Sequence, residues 1–371
     1  MPRIPYKNLT QSDEMAEKLR MSTAEIGLSV RTTNCLEEKG IFTVHDLLNC
    51  TREDLLSAYR LMLLSRRVDD KEIQLKNQSQ AFFQVSGAGH EAIQVAAGKN
   101  LRPGYDWFFP YYRDRALCLT LGYTPREMFL ASVGSKDDPA SAGRQMPSHW
   151  SNPKLHIPSQ SSATGTQVLH AVGCAEASQL YERLESIPDR LERFHPDDVT
   201  FTSVGDGATS EGEFWESLNT AANRSVPVLI LVEDNGYAIS VPVTVQTPGG
   251  EISKVVASFP GLKVLTCDGT DVAESYATMQ EAVAYCRARK GPALVHAKVI
   301  RPYSHSLSDD EKLYKTPAER AEEAKRDPIS KLAAKMKAEK LVTDDELAAI
   351  AAEVDRDVNA AADAALKAPK P

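Results

Sequence analysis

Nowhere in the chain do two cysteines stand at the C-x-x-C spacing. Its six cysteines, Cys35, Cys50, Cys118, Cys174, Cys267 and Cys286, are scattered over 371 residues. That excludes a disulfide framework and a cysteine-built zinc site, and it fits reduced thiols in a cytoplasmic protein. Every apolar run is shorter than the ~20 residues a bilayer crossing needs, and the opening Met1-Pro-Arg-Ile-Pro-Tyr-Lys-Asn8 has no apolar signal core. Positive charge is in deficit: 43 Lys and Arg against 51 Asp and Glu leave a net charge of −8, which argues against a general nucleic-acid or membrane-surface binder. No internal repeat is visible, so a repeat array is excluded as well. What remains is an ordinary globular composition, 42% hydrophobic and 25% charged. The length suffices for one large α/β domain with extensions, or for two domains.

Periodicity sets the organisation. Residues 53–79 read as a helix, with Leu55, Leu56, Tyr59, Met62 and Leu63 on one apolar stripe. A second helix opens between Gly87 and Gly98. Tyr105 to Arg115 reads as an aromatic-rich loop, and 135–165, rich in proline and serine, as a long loop of the functional or disordered kind. From Thr166 helix and strand alternate: helix 166–185, strand 199–204, helix 211–224, strand 226–232, strand 262–267, helix 271–289 and strand 293–299. That alternation predicts an α/β fold, a parallel sheet with helices on both faces. After Pro302 the chain turns polar, then helical and rich in Ala, Glu and Lys. The stretch Ala360–Pro371 reads as a frayed helix and linker.

Two polar strand ends stand out. The apolar strand Val199–Val204 runs into Gly205-Asp206-Gly207-Ala208, and the apolar run Val226–Val232 ends in Glu233-Asp234-Asn235-Gly236-Tyr237. About 30 positions separate Asp206 from Asn235, the length of a βαβ unit, so both emerge at one carboxyl edge of a parallel sheet. A carboxylate and an amide oxygen there suit Mg2+, which keeps open positions for phosphate oxygens. Gly205 and Gly207 allow a diphosphate close to the backbone, and the next helix offers its free N–H groups. The pattern resembles the thiamine diphosphate fingerprint, with Asp234 in place of the first Asn of its pair and Asn235, the metal ligand, kept. The bland alternative is two ordinary turn clusters.

From about residue 53 to 345 the chain resembles the alpha subunit of the decarboxylating component of 2-oxo acid dehydrogenase complexes, the branched-chain group more than the pyruvate group. The motifs run in order: Ser86-Gly-Ala-Gly-His-Glu-Ala92, Phe109-Pro-Tyr-Tyr-Arg-Asp114, Gly143-Arg-Gln-Met-Pro-Ser-His149, Ser161-Ser-Ala-Thr-Gly-Thr-Gln167, the cofactor fingerprint, and His305-Ser-Leu-Ser-Asp-Asp310. The resemblance implies a thiamine diphosphate-binding fold. By it, Tyr112 and Arg113 reach the diphosphate, and Ser162 and Thr164 flank the aminopyrimidine. Asp206, Asn235 and the Tyr237 carbonyl hold Mg2+, while Gly207 and Ala208 turn N–H groups to the diphosphate. His305 is the catalytic and cofactor-binding histidine, and Ser306 occupies a regulatory phosphorylation position. Ser161, Thr166 and Gln167 match a potassium site, with plain helix capping as the alternative for Ser161 and Thr166. Two departures stand out: Tyr111 where the branched-chain group often has Gln, and Glu233 where the family often has Arg. His90 and Glu91 either line the entrance or cap and pack a helix, the latter favoured.

The resemblance further implies oxidative decarboxylation of a small-molecule 2-oxo acid, 2-oxoisovalerate before pyruvate, with acyl transfer to a lipoyl-bearing acyltransferase. The glutamate that pairs with the aminopyrimidine belongs to a beta subunit, and nothing here resembles that subunit. The expected assembly is therefore two alpha and two beta chains, with no membrane partner. Separately, Met21 to Leu56 resembles half of the C-terminal domain of the bacterial RNA polymerase alpha subunit. The second half, with its helix-hairpin-helix glycines, does not follow. This divides the chain into an N-terminal extension (1–52), the cofactor-binding domain (53–345) and a C-terminal helix with an Ala/Pro tail (346–371). Two rival readings follow. Gly87-Ala-Gly-His-Glu-Ala92 also fits a dinucleotide loop, but no good buried strand precedes it and no strand-end acid follows. A transcription-linked adaptor would act through the N-terminal half-module, with nucleic-acid binding disfavoured by the acidic balance.

Overall fold

A computed structural model describes residues 21–22, 25, 44–184, 186 and 194–371. The chain divides into two compact units, Met1–Ser57 and Ala58–Pro371. Most of the stretch that resembles the polymerase module lies outside the described residues.

Five strands form one sheet: β1 (Trp107–Phe109), β2 (Thr200–Gly205), β3 (Val228–Asp234), β6 (Lys263–Asp268) and β7 (Ala293–Lys298). A two-stranded hairpin, β4 (Tyr237–Ala238) with β5 (Val241–Pro242), stands apart. The sheet order is β1-β2-β3-β7-β6 and every pairing is parallel. The long helices are α1 (Val44–Asn77), α2 (Glu91–Asn100), α3 (Arg115–Leu121), α4 (Pro125–Ser132), α5 (Thr166–Arg183), α6 (Gly212–Arg224), α7 (Val272–Arg287), α8 (Pro317–Lys325), α9 (Pro328–Ala338) and α10 (Asp344–Leu366). Among the described residues no helix is long and apolar enough to cross a membrane.

The expected parallel α/β sheet is the one observed. β3 lies at its centre with all seven residues buried, as a continuous apolar run covered on both faces requires. Its side chains alternate. Val228, Ile230 and Val232 join α5, α6 and the short helix Ile252–Val256 in one core through Val168, Phe214, Leu218 and Val256. The opposite face is covered by α2 and α7, which pack on each other. Three strands were not legible: β1 lies inside the aromatic stretch read as loop, and its three residues, like the two of β4 and the two of β5, are too few to show a period. The C-terminal stretch also differs from a frayed linker. α10 continues to Leu366 with Ala362 and Ala365 fully buried and packs on α4. Beyond it, the Pro369 carbonyl accepts from the Ser135 hydroxyl at 2.8 Å and from the Lys136 N–H at 3.0 Å.

The segment before α2 is threaded through a tight gap. The buried Asp69 carboxylate of α1 accepts from the Ser86 hydroxyl (2.8 Å), the Gly87 N–H (2.9 Å) and Arg115 Nε (3.1 Å). Gly89 has φ +89°, and a Cβ there would sit 2.2 Å from the Ile300 carbonyl oxygen. Only glycine satisfies both constraints. Gly89→Ala should therefore cost roughly 2–4 kcal/mol, from left-handed strain plus displacement of the backbone before the His305 loop. Chemical denaturation measures this directly, and a wild-type midpoint would refute it.

Candidate cofactor and metal site

The parallel register of β2 on β3 sets Gly205 beside Glu233, so Asp206 and Asn235 leave the sheet together. The Asn235 N–H donates to Asp206 Oδ1 at 3.4 Å, and the Tyr237 N–H donates to Asn235 Oδ1 at 3.3 Å. Asp206 is almost fully buried; that burial, with the nearby Asp234 charge, pushes its pKa up to about 7. A buried carboxylate of this kind gains most from a cation. Its second oxygen accepts from Gln246 Nε2 at 2.7 Å, a partner the sequence did not suggest. Among the described residues there is no cluster of three or more His, Cys, Asp or Glu side chains fit to hold a metal. What the edge does bring together is the Asp206 carboxylate and the Asn235 amide, whose oxygens are hard donors of the kind Mg2+ takes.

A cavity of about 380 Å3 opens over this edge. Tyr112, Arg113, Ser162, Thr164, Asp206, Gly207, Ala208, Asn235, Tyr237 and His305 all line it, as do Ser161 and Gln167. Residues from five sequence motifs thus converge on one space. Thr166 does not line it: it begins α5, its N–H donating to the Ala163 carbonyl at 3.4 Å. The Ser161 hydroxyl accepts from the Ala163 N–H at 3.2 Å, and Gln167 Nε2 donates to the Ser203 carbonyl at 3.0 Å. Ser162 Oγ lies 3.0 Å from His149 Nε2 on the facing loop.

Arg113 is buried, with its guanidinium over the Tyr112 ring at 5.2 Å. It donates to the Ser86 carbonyl at 2.5 Å and, through Nη2, to His305 Nδ1 at 3.0 Å and the His305 carbonyl at 3.1 Å. A guanidinium can only donate, so His305 Nδ1 is the acceptor and the ring proton sits on Nε2. Burial, then the charges of Arg113 and Arg301, lower the His305 pKa to about 4. Ser306 beside it is buried, its hydroxyl 2.8 Å from that of Ser308.

Sequence reasoning left His90 ambiguous; the structure makes it a buried link. Its Nδ1 lies 2.5 Å from Glu233 Oε2, and its Nε2 lies 3.4 Å from Asn235 Nδ2. The amide N–H must donate to Nε2, so Nδ1–H donates to Glu233. Burial and then Arg113 hold the His90 pKa down to about 3, which keeps this ring neutral. Glu91 is equally buried, accepting from the Gly89 N–H and from Arg66 Nε, both at 2.7 Å; it is a packing residue. Glu233 has turned to the α2 face, where Gln94 Nε2 also reaches it at 2.9 Å. Burial raises its pKa to about 7, and burial plus the Glu233 charge raise that of Asp114 well above the carboxylate range. Two groups were missed altogether, the buried Arg301 and the half-buried Glu211. Arg301 donates to the Ile239 carbonyl at 2.9 Å and the Tyr314 hydroxyl at 2.6 Å, and its Nε and Nη1 have no partner among the described residues. Glu211 lines the cavity opposite Gly165 with its pKa raised by burial and then by Glu213.

Residues 59–371 match the model described as "Dehydrogenase E1 component". The chain belongs to that family. Family membership brings dependence on thiamine diphosphate. The chain is 34% identical, over 88% of its length, to the 2-oxoisovalerate dehydrogenase subunit alpha of Bacillus subtilis, covering 94% of that protein. It is 36% identical, over 75% of its length, to the 3-methyl-2-oxobutanoate dehydrogenase subunit alpha of Mycobacterium tuberculosis, covering 69% of it. With the pyruvate dehydrogenase E1 component subunit alpha of Mycoplasma pneumoniae, identity is 29% over 84% of the chain and 80% of the relative. Residues 10–61 match a second model, that of the C-terminal domain of the bacterial RNA polymerase alpha chain, a wider span than the sequence reading gave.

The depressed His305 pKa has a signed consequence. In the unfolded chain the ring takes a proton near its ordinary pKa of about 6.5, whereas in the folded protein it does so only near 4. The unfolded state therefore binds more protons in that window, and stability falls as pH drops from 6.5 towards 4. Relative to His305→Gln, the wild type should lose stability across that interval and run parallel above pH 7. Thermal melts at stepped pH read this out; a wild type that gains on the variant as pH falls contradicts a neutral His305.

Proposed function

We propose that this chain is the alpha subunit of a 2-oxo acid dehydrogenase that decarboxylates a branched-chain substrate of the 2-oxoisovalerate type. The observation that carries the reading is the convergence of Tyr112, Arg113, Asp206, Asn235 and His305 on one cavity at the β2–β3 edge. The residues present fit the cofactor. The donor set is that of a hard cation, and the buried Tyr111 hydroxyl in the cavity wall has no partner among the described residues. When bound, thiamine diphosphate supplies the nucleophilic carbon and the electron sink for loss of carbon dioxide.

This chain's residues divide the remaining work. Asp206, the Asn235 amide oxygen and the Tyr237 carbonyl hold Mg2+, with Gln246 giving up its contact to Asp206. Gly207 and Ala208 turn N–H groups to the diphosphate, and Arg113 supplies the cationic fork that the Glu233 position, here turned inward, does not. Ser162 and Thr164 flank the aminopyrimidine. His305 offers an Nε2–H donor and stays uncharged near neutral pH, so it orients a phosphate or passes a proton without adding charge. A potassium ion at Ser161, Thr166 and Gln167 is the finer part of the proposal, supported by their placement on the loop that leads into α5 and on its first turn. Phosphorylation of Ser306 would set about two negative charges beside Arg113 and the anionic cofactor, opposing binding. The family division of labour assigns the acid–base carboxylate to a beta subunit and the acyl acceptor to a lipoyl-bearing acyltransferase. Ile239 at the cavity, and Val241 and Val245 near it, are exposed apolar side chains suited to such a partner. We place the protein in the cytoplasm, a reading supported by the unbonded Cys118, Cys174, Cys267 and Cys286.

Two experiments test this. Titration calorimetry with thiamine diphosphate and Mg2+ should show binding to the wild-type chain with its beta subunit and none to Asp206→Ala, whose melting temperature should stay near wild type. Undiminished affinity in that variant would sink the metal assignment. Decarboxylation with an artificial electron acceptor should require the beta subunit and prefer 2-oxoisovalerate to pyruvate. The two substrates differ by two carbons, and each methylene in an apolar pocket is worth only about 1–3 kcal/mol, so weak pyruvate turnover is expected. A strong pyruvate preference would reverse the substrate order, and full activity of the isolated chain would turn attention to Glu211.

A further inference from the structure

We infer that Lys298 and His296 are positioning residues for the metal ligand Asn235, acting on it through the carboxylate of Asp234. The inference rests on the reading of the β2–β3 edge as a metal–diphosphate site.

Strand alternation is the starting point. Along β3, Glu233 faces α2, so Asp234 faces the opposite side, where the short helix Ile252–Val256 covers the sheet. On the neighbouring β7, Lys298 pairs in register with Asp234, and His296 with Val232, so both present to the same face. The contacts follow. Asp234 Oδ2 accepts from Lys298 Nζ at 2.6 Å and lies 2.8 Å from His296 Nε2. The other imidazole nitrogen is 3.0 Å from Ser253 Oγ, and Lys298 also reaches Glu251 Oε1 at 3.3 Å. The remaining Asp234 oxygen, Oδ1, accepts from the Gly236 N–H at 2.9 Å. That bond closes the turn that carries Asn235, whose own side chain then points back to the site, while Gly236 takes φ +84°.

An asparagine at position 234, the residue the fingerprint usually has, could accept the same Gly236 bond without any counter-charge. An aspartate cannot do so at equal cost. It is buried, and it lies close enough to Asp206 for the two carboxylates to repel. Without Lys298 and His296 it would turn towards the cation, displacing Asn235 as the ligand, or loosen the turn. The aspartate and its two partners therefore form one unit, and none of the three faces the cavity. Outer-shell partners of this kind orient a ligand without touching the metal.

The test is a double-mutant cycle on the full chain with its beta subunit, reading thiamine diphosphate and Mg2+ affinity by calorimetry beside thermal stability. Lys298→Met should weaken Mg2+-dependent binding by about tenfold or more. Asp234→Asn alone should stay within about twofold of wild type, and the double variant should recover to within about threefold, whereas independent losses would add. Lys298→Arg, which keeps the cation, should bind as wild type does. Should Lys298→Met not fold, His296→Leu with and without Asp234→Asn runs the same cycle. Wild-type affinity in the lysine variant, or a double variant no better than the single, overturns the inference alone. A wild-type complex that binds no thiamine diphosphate overturns the site reading with it.

Discussion

Parallel pairing of β2 with β3 is the constraint on which the site depends. Because Gly205 and Glu233 are register partners, the next residues of the two strands must leave the sheet side by side. An acidic residue after one strand and an amide after the other thereby become a single oxygen-rich edge. Helices on both faces keep the two strands buried and rigid, so the edge is held by the core and not by the loops that surround it. The loops from 109–114, 143–149, 161–167 and 305–310 then only have to reach that edge, and the cavity between them is where they meet.

The same strand explains how three consecutive polar residues do three different things. Glu233 goes to the α2 face and into a buried cluster with His90, Gln94 and Asp114. Asp234 goes to the other face and its cations, and Asn235 leaves the strand towards the cavity. Buried polar groups are tolerated best when satisfied, and His90, Gln94, Asp234 and Asn235 each meet a neighbour in the fold. Among the buried side chains with an atom that finds no partner among the described residues, two stand by the site. These are Tyr111 at the cavity wall and Arg301, close enough to feel the Arg113 charge, beside the place where an anionic ligand is proposed.

Much of this was legible from sequence because it is local. Apolar runs ending in Gly205-Asp206-Gly207 and Asp234-Asn235 announce strand ends, and the intervening amphipathic stretch announces a crossover helix, so the edge follows from spacing alone. The rest depends on residues far apart in the chain. Nothing in Gly87–Ala92 says that His90 will meet Glu233, nor in Val243–Gln246 that Gln246 will cover Asp206. Glu233 read only as a departure from the family's usual Arg, because the motif records which residue is present but not the face to which it turns. β1 escaped notice because three residues carry no period, and the C-terminal end because alanine-rich sequence packs as readily as it frays once α4 is there to receive it.

The central claim is that a divalent cation and a diphosphate sit together on the β2–β3 edge. The most direct measurement is a crystal structure of the complex soaked with thiamine diphosphate and Mn2+ in place of Mg2+, with the cation located by its anomalous signal. The account predicts one strong peak bound by the Asp206 carboxylate, the Asn235 amide oxygen and the Tyr237 carbonyl, with Gln246 displaced from Asp206. A cation held elsewhere, or a diphosphate bound away from Gly207 and Arg113, would contradict it.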